Sequence, residues 1–202
     1  MIITFHGNQF FKVQAGDMTI ALNPPVLAKG EKASRFGADI AVSSCQAPYA
    51  SGFETVTFGD KTPVRVDGPG SYEVEGIGFD GFMSKPDTEG MYHTLYSFSF
   101  DDIRALFLGA VDRKDLFPDD AIDEMGAIDI VYVCVTHPDA YALARSFSPH
   151  VIIPMGYEST DDEALQEFLK EAGAQSKEAL DKLTIKRRDI ESMTGEVMYF
   201  SC

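Results

Sequence analysis

The sequence predicts a layered fold of the α+β or α/β kind, in which β-sheets carry helices on their outer faces. Three observations predict it. The first half of the 202 residues is a series of short β-rich runs separated by tight turns. The second half changes rhythm and alternates apolar strands with helical segments. No linker, low-complexity tract or short-period repeat interrupts residues 1–202, so one domain is the expected organisation.

In chain order, Ile2–Phe5, Phe10–Gln14 and Met18–Leu22 read as strands, with Gly16-Asp17 supplying a hairpin turn between the last two. Ala38–Ser43 is a continuous apolar run of the fully buried type. Thr55–Phe58, Ser71–Val74 and Ile77–Phe82 follow, the last two separated by Glu75-Gly76. Thr94–Phe100 and Ile103–Leu108 flank Asp101-Asp102 as a further hairpin. Pro118–Met125 then reads as a helix, with Pro at its start and Gly126 just past its end. Ile128–Val133 reads as a strand, Pro138–Phe147 as a helix and Val151–Pro154 as a strand. Over Thr160–Ala172, Thr160 and Glu163 form a capping-box pattern, Leu165, Phe168 and Leu169 share a face, and Gly173 closes the helix. Gly195–Phe200 reads as a last strand.

The charge narrows the partners. Against 32 acidic residues stand 17 basic ones, a formal net charge of −15, and the one basic cluster is Lys186-Arg187-Arg188. Such a surface repels phosphate backbones, so nucleic acid is not expected as a partner. No stretch reads as a signal peptide, and no apolar run approaches the ~20 residues that span a bilayer. A soluble cytoplasmic protein is the expectation. Cys45, Cys134 and Cys202 are odd in number and far apart, which fits a reducing compartment. Neither a partner nor an oligomeric state follows, and homo-oligomerisation stays open.

Several segments carry a resemblance. They are Ile3-Thr4-Phe5-His6-Gly7-Asn8-Gln9-Phe10-Phe11-Lys12-Val13, Ala21-Leu22-Asn23-Pro24, Ala38-Asp39-Ile40-Ala41-Val42-Ser43-Ser44, Asp67-Gly68-Pro69-Gly70-Ser71-Tyr72-Glu73-Val74, Leu106-Phe107-Leu108-Gly109 and Val151-Ile152-Ile153-Pro154-Met155-Gly156-Tyr157. In this order and spacing they resemble the metallo-β-lactamase superfamily, and within it the small Zn-dependent hydrolase branch. The resemblance implies an αββα sandwich, with residues 1 to about 110 supplying most of one sheet and the remainder the other. It also implies a metal site at one edge, where zinc lowers the pKa of bound water to roughly 7 and makes a hydroxide nucleophile.

Carried over residue by residue, the implied ligand positions fall on Cys45, Ala47, Tyr49, Ala50, Pro86, Ala110 and Gly156. Only Cys45 offers a donor suited to zinc, because Tyr49 ligates iron more readily than zinc. The early histidine of the first hairpin corresponds to Asn8, and the aspartate of the Asp-Pro segment to Asn23. Four histidines occur in the chain, no two within five residues, so no register supplies a His-x-His pair. No zinc or other cofactor is therefore expected, although the superfamily uses zinc.

Cys45 reads first as a small core residue, and second as a redox thiol or unusual ligand. His137, before Pro138 and Asp139, reads as a surface or capping histidine that could reach the old pocket. Asp87 and Asp112 lie just past implied ligand positions and read as turn caps or, less simply, cation ligands. With Asn8 and His137 they make up the possible residual polar pocket, whereas His6, His93 and His150 have no acidic or thiol partner visible in sequence. Gly68-Pro69-Gly70 lacks the Lys-Ser/Thr and helix of a phosphate loop, and no Gly-x-Ser-x-Gly elbow occurs. Two functions remain. The first is a non-catalytic binding or assembly module on a hydrolase fold. The second is a hydrolase, either metal-free or with an unconventional metal site built from Cys45, Asp87, Asp112 and His137. In either case the old site is expected to be filled or rebuilt, with Tyr49 turned inward and Tyr49 and Pro86 taking up volume.

Overall fold

A computed structural model describes residues 1–30, 36–118 and 124–202. The elements are β1 (Ile2–Phe5), β2 (Phe11–Ala15), β3 (Met18–Leu22), β4 (Ile40–Val42), β5 (Val64–Val66), β6 (Gly70–Val74), β7 (Ile77–Met83), β8 (Thr94–Phe100), β9 (Ile103–Phe107) and β10 (Ile130–Cys134). After them come helix α1 (Ala140–Ser146), β11 (Val151–Met155), α2 (Glu163–Glu171), β12 (Leu183–Thr184), α3 (Arg187–Ile190) and β13 (Glu196–Val197).

Two mixed sheets result, in the order β12-β1-β2-β3-β4-β5 and β13-β11-β10-β9-β8-β7-β6. The pleat explains how they pack. Ile20, Leu22, Ile40 and Val42 point into the large cluster between the sheets, while the alternate residues Ala21 and Ala41 join a small outer cluster with Phe10, Phe53 and Val56. Across the sandwich, Phe11 of β2 meets Tyr132 of β10 edge to face, with ring centroids 5.1 Å apart. On the outer side of the second sheet, α1 packs against β10, and α2 adds Leu165, Phe168 and Leu169. The layered α+β class is therefore as expected from the sequence.

The division between the sheets is not. The chain passes from the first sheet to the second at Asp67-Gly68-Pro69, not near residue 110, and β12 later returns to the first sheet's edge. The reason is local. Strands β6 to β9 pair antiparallel in succession, joined by Glu75-Gly76 and Asp101-Asp102, whose φ angles of 53°, 77°, 55° and 61° are left-handed. Two-residue turns of that hand match strand twist and keep consecutive strands in one sheet.

Other boundaries shift for comparable reasons. The expected strand Thr55–Phe58 is a 3₁₀ turn over Phe53–Val56, held by Thr55 Oγ1 donating to the Pro25 carbonyl at 2.6 Å. Helix α2 starts at Glu163, because Asp162 Oδ1 accepts from the Ala164 N–H at 3.0 Å, while Thr160 only lends its carbonyl to Gln166. Strand β13 spans Glu196–Val197 only. The short strands β5 and β12 were not anticipated. The helix expected over Pro118–Met125 falls mostly on residues 119–123, outside the described residues; Glu124 and Met125 are helical. Among the described residues, no helix is long and apolar enough to cross a membrane.

Candidate functional site

The carboxyl ends of β3, β4, β9, β10 and β11 gather at one edge of the sandwich. Their loops are tied together by buried side chains. Asn23, just past β3 and in left-handed geometry (φ 46°), is fully buried. Its Nδ2 donates to Gln9 Oε1 and Ser44 Oγ at 2.9 Å each, and its Oδ1 accepts from the Ser44 N–H at 2.8 Å. Ser44 in turn crowds Gly109, where a Cβ would come within 2.5 Å of the serine Cβ. The Ser44 carbonyl accepts from the Thr94 N–H, which fastens the β4 loop to the start of β8. A second chain of contacts runs from Gln9 through Cys134 Sγ and Thr136 Oγ1 to Asp112 Oδ2, at 3.8, 3.4 and 2.7 Å.

Beside this network lies a His93–Asp87 pair that sequence reasoning did not assemble. The loop from β7 to β8 folds back on itself: Asp87 N–H bonds the Met91 carbonyl, and Asp87 Oδ1 accepts from the N–H groups of Glu89 and Met91. That turn brings His93 round to Asp87, with Nε2 3.1 Å from Oδ2. His93 is buried, and its Nδ1 has no hydrogen-bond partner among the described residues. Nearby, the Cys45 thiol donates to Tyr49 Oη at 3.3 Å.

The electrostatics follow the geometry. The neighbouring Cys45 sulfur and Asp87 carboxylate outweigh burial and raise the His93 pKa above its usual value. Asp87 is held below the usual carboxylate value, chiefly by His93 and the Met91 N–H. Burial opposes ionisation of Cys45, yet His93, Tyr49 and the Ala47 backbone together leave the thiol below its ordinary value. Burial and the neighbouring sulfur push the Tyr49 hydroxyl upward, so it keeps its proton.

The pair lines a cleft of about 280 Å³ whose walls include Tyr49, Asp87, His93, Ala110, Asp112 and Arg113. Of the positions singled out by resemblance, Tyr49 and Ala110 line this cleft, Cys45 sits behind Tyr49, Ala47 is half-buried and Ala50 is fully buried. Tyr49 is half-buried, turned towards Cys45. Pro86 is exposed on the loop surface and fills no interior volume, contrary to expectation. Gly156 has φ 87°, and a Cβ there would meet Cys134 Sγ at 2.5 Å. Of the residual polar residues, Asn8 bridges to Tyr157 through its backbone at 2.9 Å, with φ 53°. Asp87 and Asp112 both reach the cleft. His137 does not: its Nδ1 accepts from the Asp139 N–H at 3.1 Å, and it lines a separate hollow against α2. The four-residue metal site considered from sequence is therefore not assembled, and among the described residues no three of His, Cys, Asp and Glu converge to hold a metal.

His93 is the residue sequence reasoning missed, since it was read as partnerless. The available signal was its place six residues after Asp87, in a loop closed by two antiparallel strands. His150 too has a carboxylate nearby, Asp129 at 3.7 Å.

The family description "Beta-lactamase superfamily domain" matches residues 2–156. Comparison with curated proteins finds no match. Among solved structures, the chain resembles a Thermotoga maritima protein assigned to the Zn-dependent hydrolases of the metallo-β-lactamase superfamily. That match has 20% identity, covers 98% of this chain and 97% of the other, and has a TM-score of 0.72. A metallo hydrolase from Ignicoccus hospitalis matches at 14% identity over 92% and 99% of the two chains, with a TM-score of 0.61. An isothiocyanate hydrolase from Delia radicum gut bacteria matches at 10% identity over 92% and 99%, with a TM-score of 0.66. These likenesses establish the shared fold.

Proposed function

We infer a function from one premise: the chain belongs to the β-lactamase superfamily, by the match of its domain description over most of the sequence. It has the superfamily's hydrolase-like fold. Our reading is that the metal site has been retired, and that the old catalytic edge serves as a metal-independent binding or assembly cleft.

The observation that carries this reading is Gly156. Its backbone is left-handed, and the space a side chain would need is taken by Cys134 Sγ, 2.5 Å from an ideal Cβ. A ligand-bearing residue there would require both strain and displacement of a buried sulfur. Ala47, Ala50 and Ala110 bring no donor atoms, and Asn23 and Ser44 are committed to one another. A dinuclear zinc site needs several imidazole and carboxylate donors, so the residues present do not fit it. A second reading, a metal-free hydrolase, is favoured by one observation, the His93–Asp87 pair lining the cleft.

Elemental analysis of protein purified without chelator tests the first reading. The expected result is no stoichiometric zinc, iron or manganese, together with a melting temperature unchanged by EDTA. A stoichiometric transition metal, or a melting temperature that falls on chelation, would overturn it.

A further inference from the structure

We propose that the free edge of β6 is a docking site for an extended segment of a partner protein, with alternating basic and apolar residues, which joins the second sheet as an eighth strand.

Four strands end the two sheets, and they are not alike. β12 and β13 have two residues each and β5 has three, whereas β6 has five. Short end strands are one way sheets avoid pairing with other chains, and β6 lacks that protection. Its backbone is half used. Val74 and Ile77 flank the Glu75-Gly76 turn and exchange backbone hydrogen bonds, and by alternation so do Tyr72 with Phe79 and Gly70 with Gly81. Ser71 and Glu73 therefore turn their N–H and C=O groups outward, and no described residue bonds to them. These four groups make a ready template for one more strand. No residue of β6 lines the cleft described above, so this surface is separate from it.

The side chains indicate the partner's chemistry. Tyr72 and Val74 lean on the core between the sheets, while Ser71 and Glu73 are exposed on the outer face, where Ser71 Oγ donates to Asp80 Oδ1 at 2.9 Å. Residues 66–84 hold the carboxylates Asp67, Glu73, Glu75 and Asp80, and no Lys, Arg or His. On the adjoining β5 side, Lys61 and Arg65 are already paired with Asp39 and Glu54, at 2.7 and 3.1 Å. A second copy of this chain would lay the same carboxylates against each other, which disfavours it as the occupant. Basic side chains on the outer face of an incoming strand would instead meet Glu73 and Asp80. The other face of that strand turns towards β5. There, at the Glu75 end of β6, a hollow of about 370 Å³ has Met18, Ala38 and Val64 in its walls, and Val64 is 47% exposed. An apolar side chain fits that position, which gives the alternation its second half.

The probe is a fluorescein-labelled hexapeptide of alternating lysine and valine, titrated into the full chain at low salt and followed by anisotropy. Binding should saturate at one peptide per chain, and amide hydrogen exchange should slow at Ser71 and Glu73. A glutamate–valine hexapeptide should not bind, nor should the lysine–valine peptide N-methylated at every backbone nitrogen, and neither control needs a variant to fold. Glu73→Lys should weaken binding about 10-fold at low salt and by less at high salt. Ser71→Pro removes an outward N–H from an edge position that tolerates proline, and should weaken binding about 10-fold or more. Equal binding of the N-methylated peptide, unchanged affinity in both variants, or protection confined to other strands would overturn the proposal. So would no binding of the lysine–valine peptide, which would leave Glu73 as a charge that merely guards the edge. A dimer of the free chain with Ser71 and Glu73 already protected would replace the partner by a second copy and overturn it as well. None of these outcomes touches the retired metal site, which metal content alone decides.

Discussion

At the scale of single residues, the structure separates groups that cost stability from groups that supply it. Tyr132 is fully buried in the sandwich, and its hydroxyl has no partner among the described residues. An orphaned buried hydroxyl costs about 1–3 kcal/mol, so Tyr132→Phe should be neutral or should stabilise the fold, as read by urea midpoint. His93 and Asp87 work the other way. His93 holds its proton more tightly in the folded chain, so its contribution is complete below the unfolded value of about 6.5 and is lost as pH rises through the higher folded value. Asp87 holds its proton less tightly, so its share is present above the unfolded value of about 3.9 and is lost as pH falls through the lower folded value. Asp87→Asn keeps an acceptor for the two N–H groups but removes the charge. It should cost about 1 kcal/mol between roughly pH 4 and 6.5, and less on either side. A deficit that is flat across pH would show that the pair does not act through charge. This pairing was hard to read from the sequence because it depends on how a loop closes. The missing donors at Ala47, Ala50, Ala110 and Gly156 were legible, since the absence of a side-chain donor needs no geometry.

At the scale of elements, tight turns were legible and sparse strands were not. Gly16-Asp17, Glu75-Gly76 and Asp101-Asp102 carry their chemistry in two residues, and each joins the strands expected of it. Strands β5 and β12 have three and two residues, with exposed positions that leave no alternating pattern to detect. The start of α2 offers a clean comparison. The capping box read from Thr160 and Glu163 is not used, and Asp162 takes the cap. Asp162→Ala should cost about 1 kcal/mol, whereas Thr160→Ala should stay within about 0.5 kcal/mol. Equal costs in thermal melts would mean that Thr160 caps in solution after all.

At the scale of the whole molecule, the layered class followed from rhythm alone, while the crossover between sheets did not. Strand pairing is decided by which turns are too tight to let a strand leave its sheet. The same scale governs whether the superfamily's metal chemistry could be rebuilt. A retired site that was merely unliganded would accept its donors back. Here two of the positions belong to the packing: Ala50 is fully buried, and Gly156 is pressed by Cys134. An imidazole at a buried alanine brings volume and a polar group with no prepared partner, and each such intrusion costs about 1–3 kcal/mol. At Gly156 the left-handed backbone adds about 1–3 kcal/mol of strain that no repacking removes. Domains are typically stable by about 5–15 kcal/mol in total, so several such changes consume most of it. The combined variant Ala47→His, Ala50→His, Ala110→Asp and Gly156→His should therefore melt far below the unmodified chain, without gaining metal. Adding Cys134→Ala should recover the part due to the sulfur clash and leave the backbone strain. Stoichiometric zinc, with new EDTA-sensitive hydrolysis in the fourfold variant, would mean that the metal pocket survives in the fold and only its donors were lost.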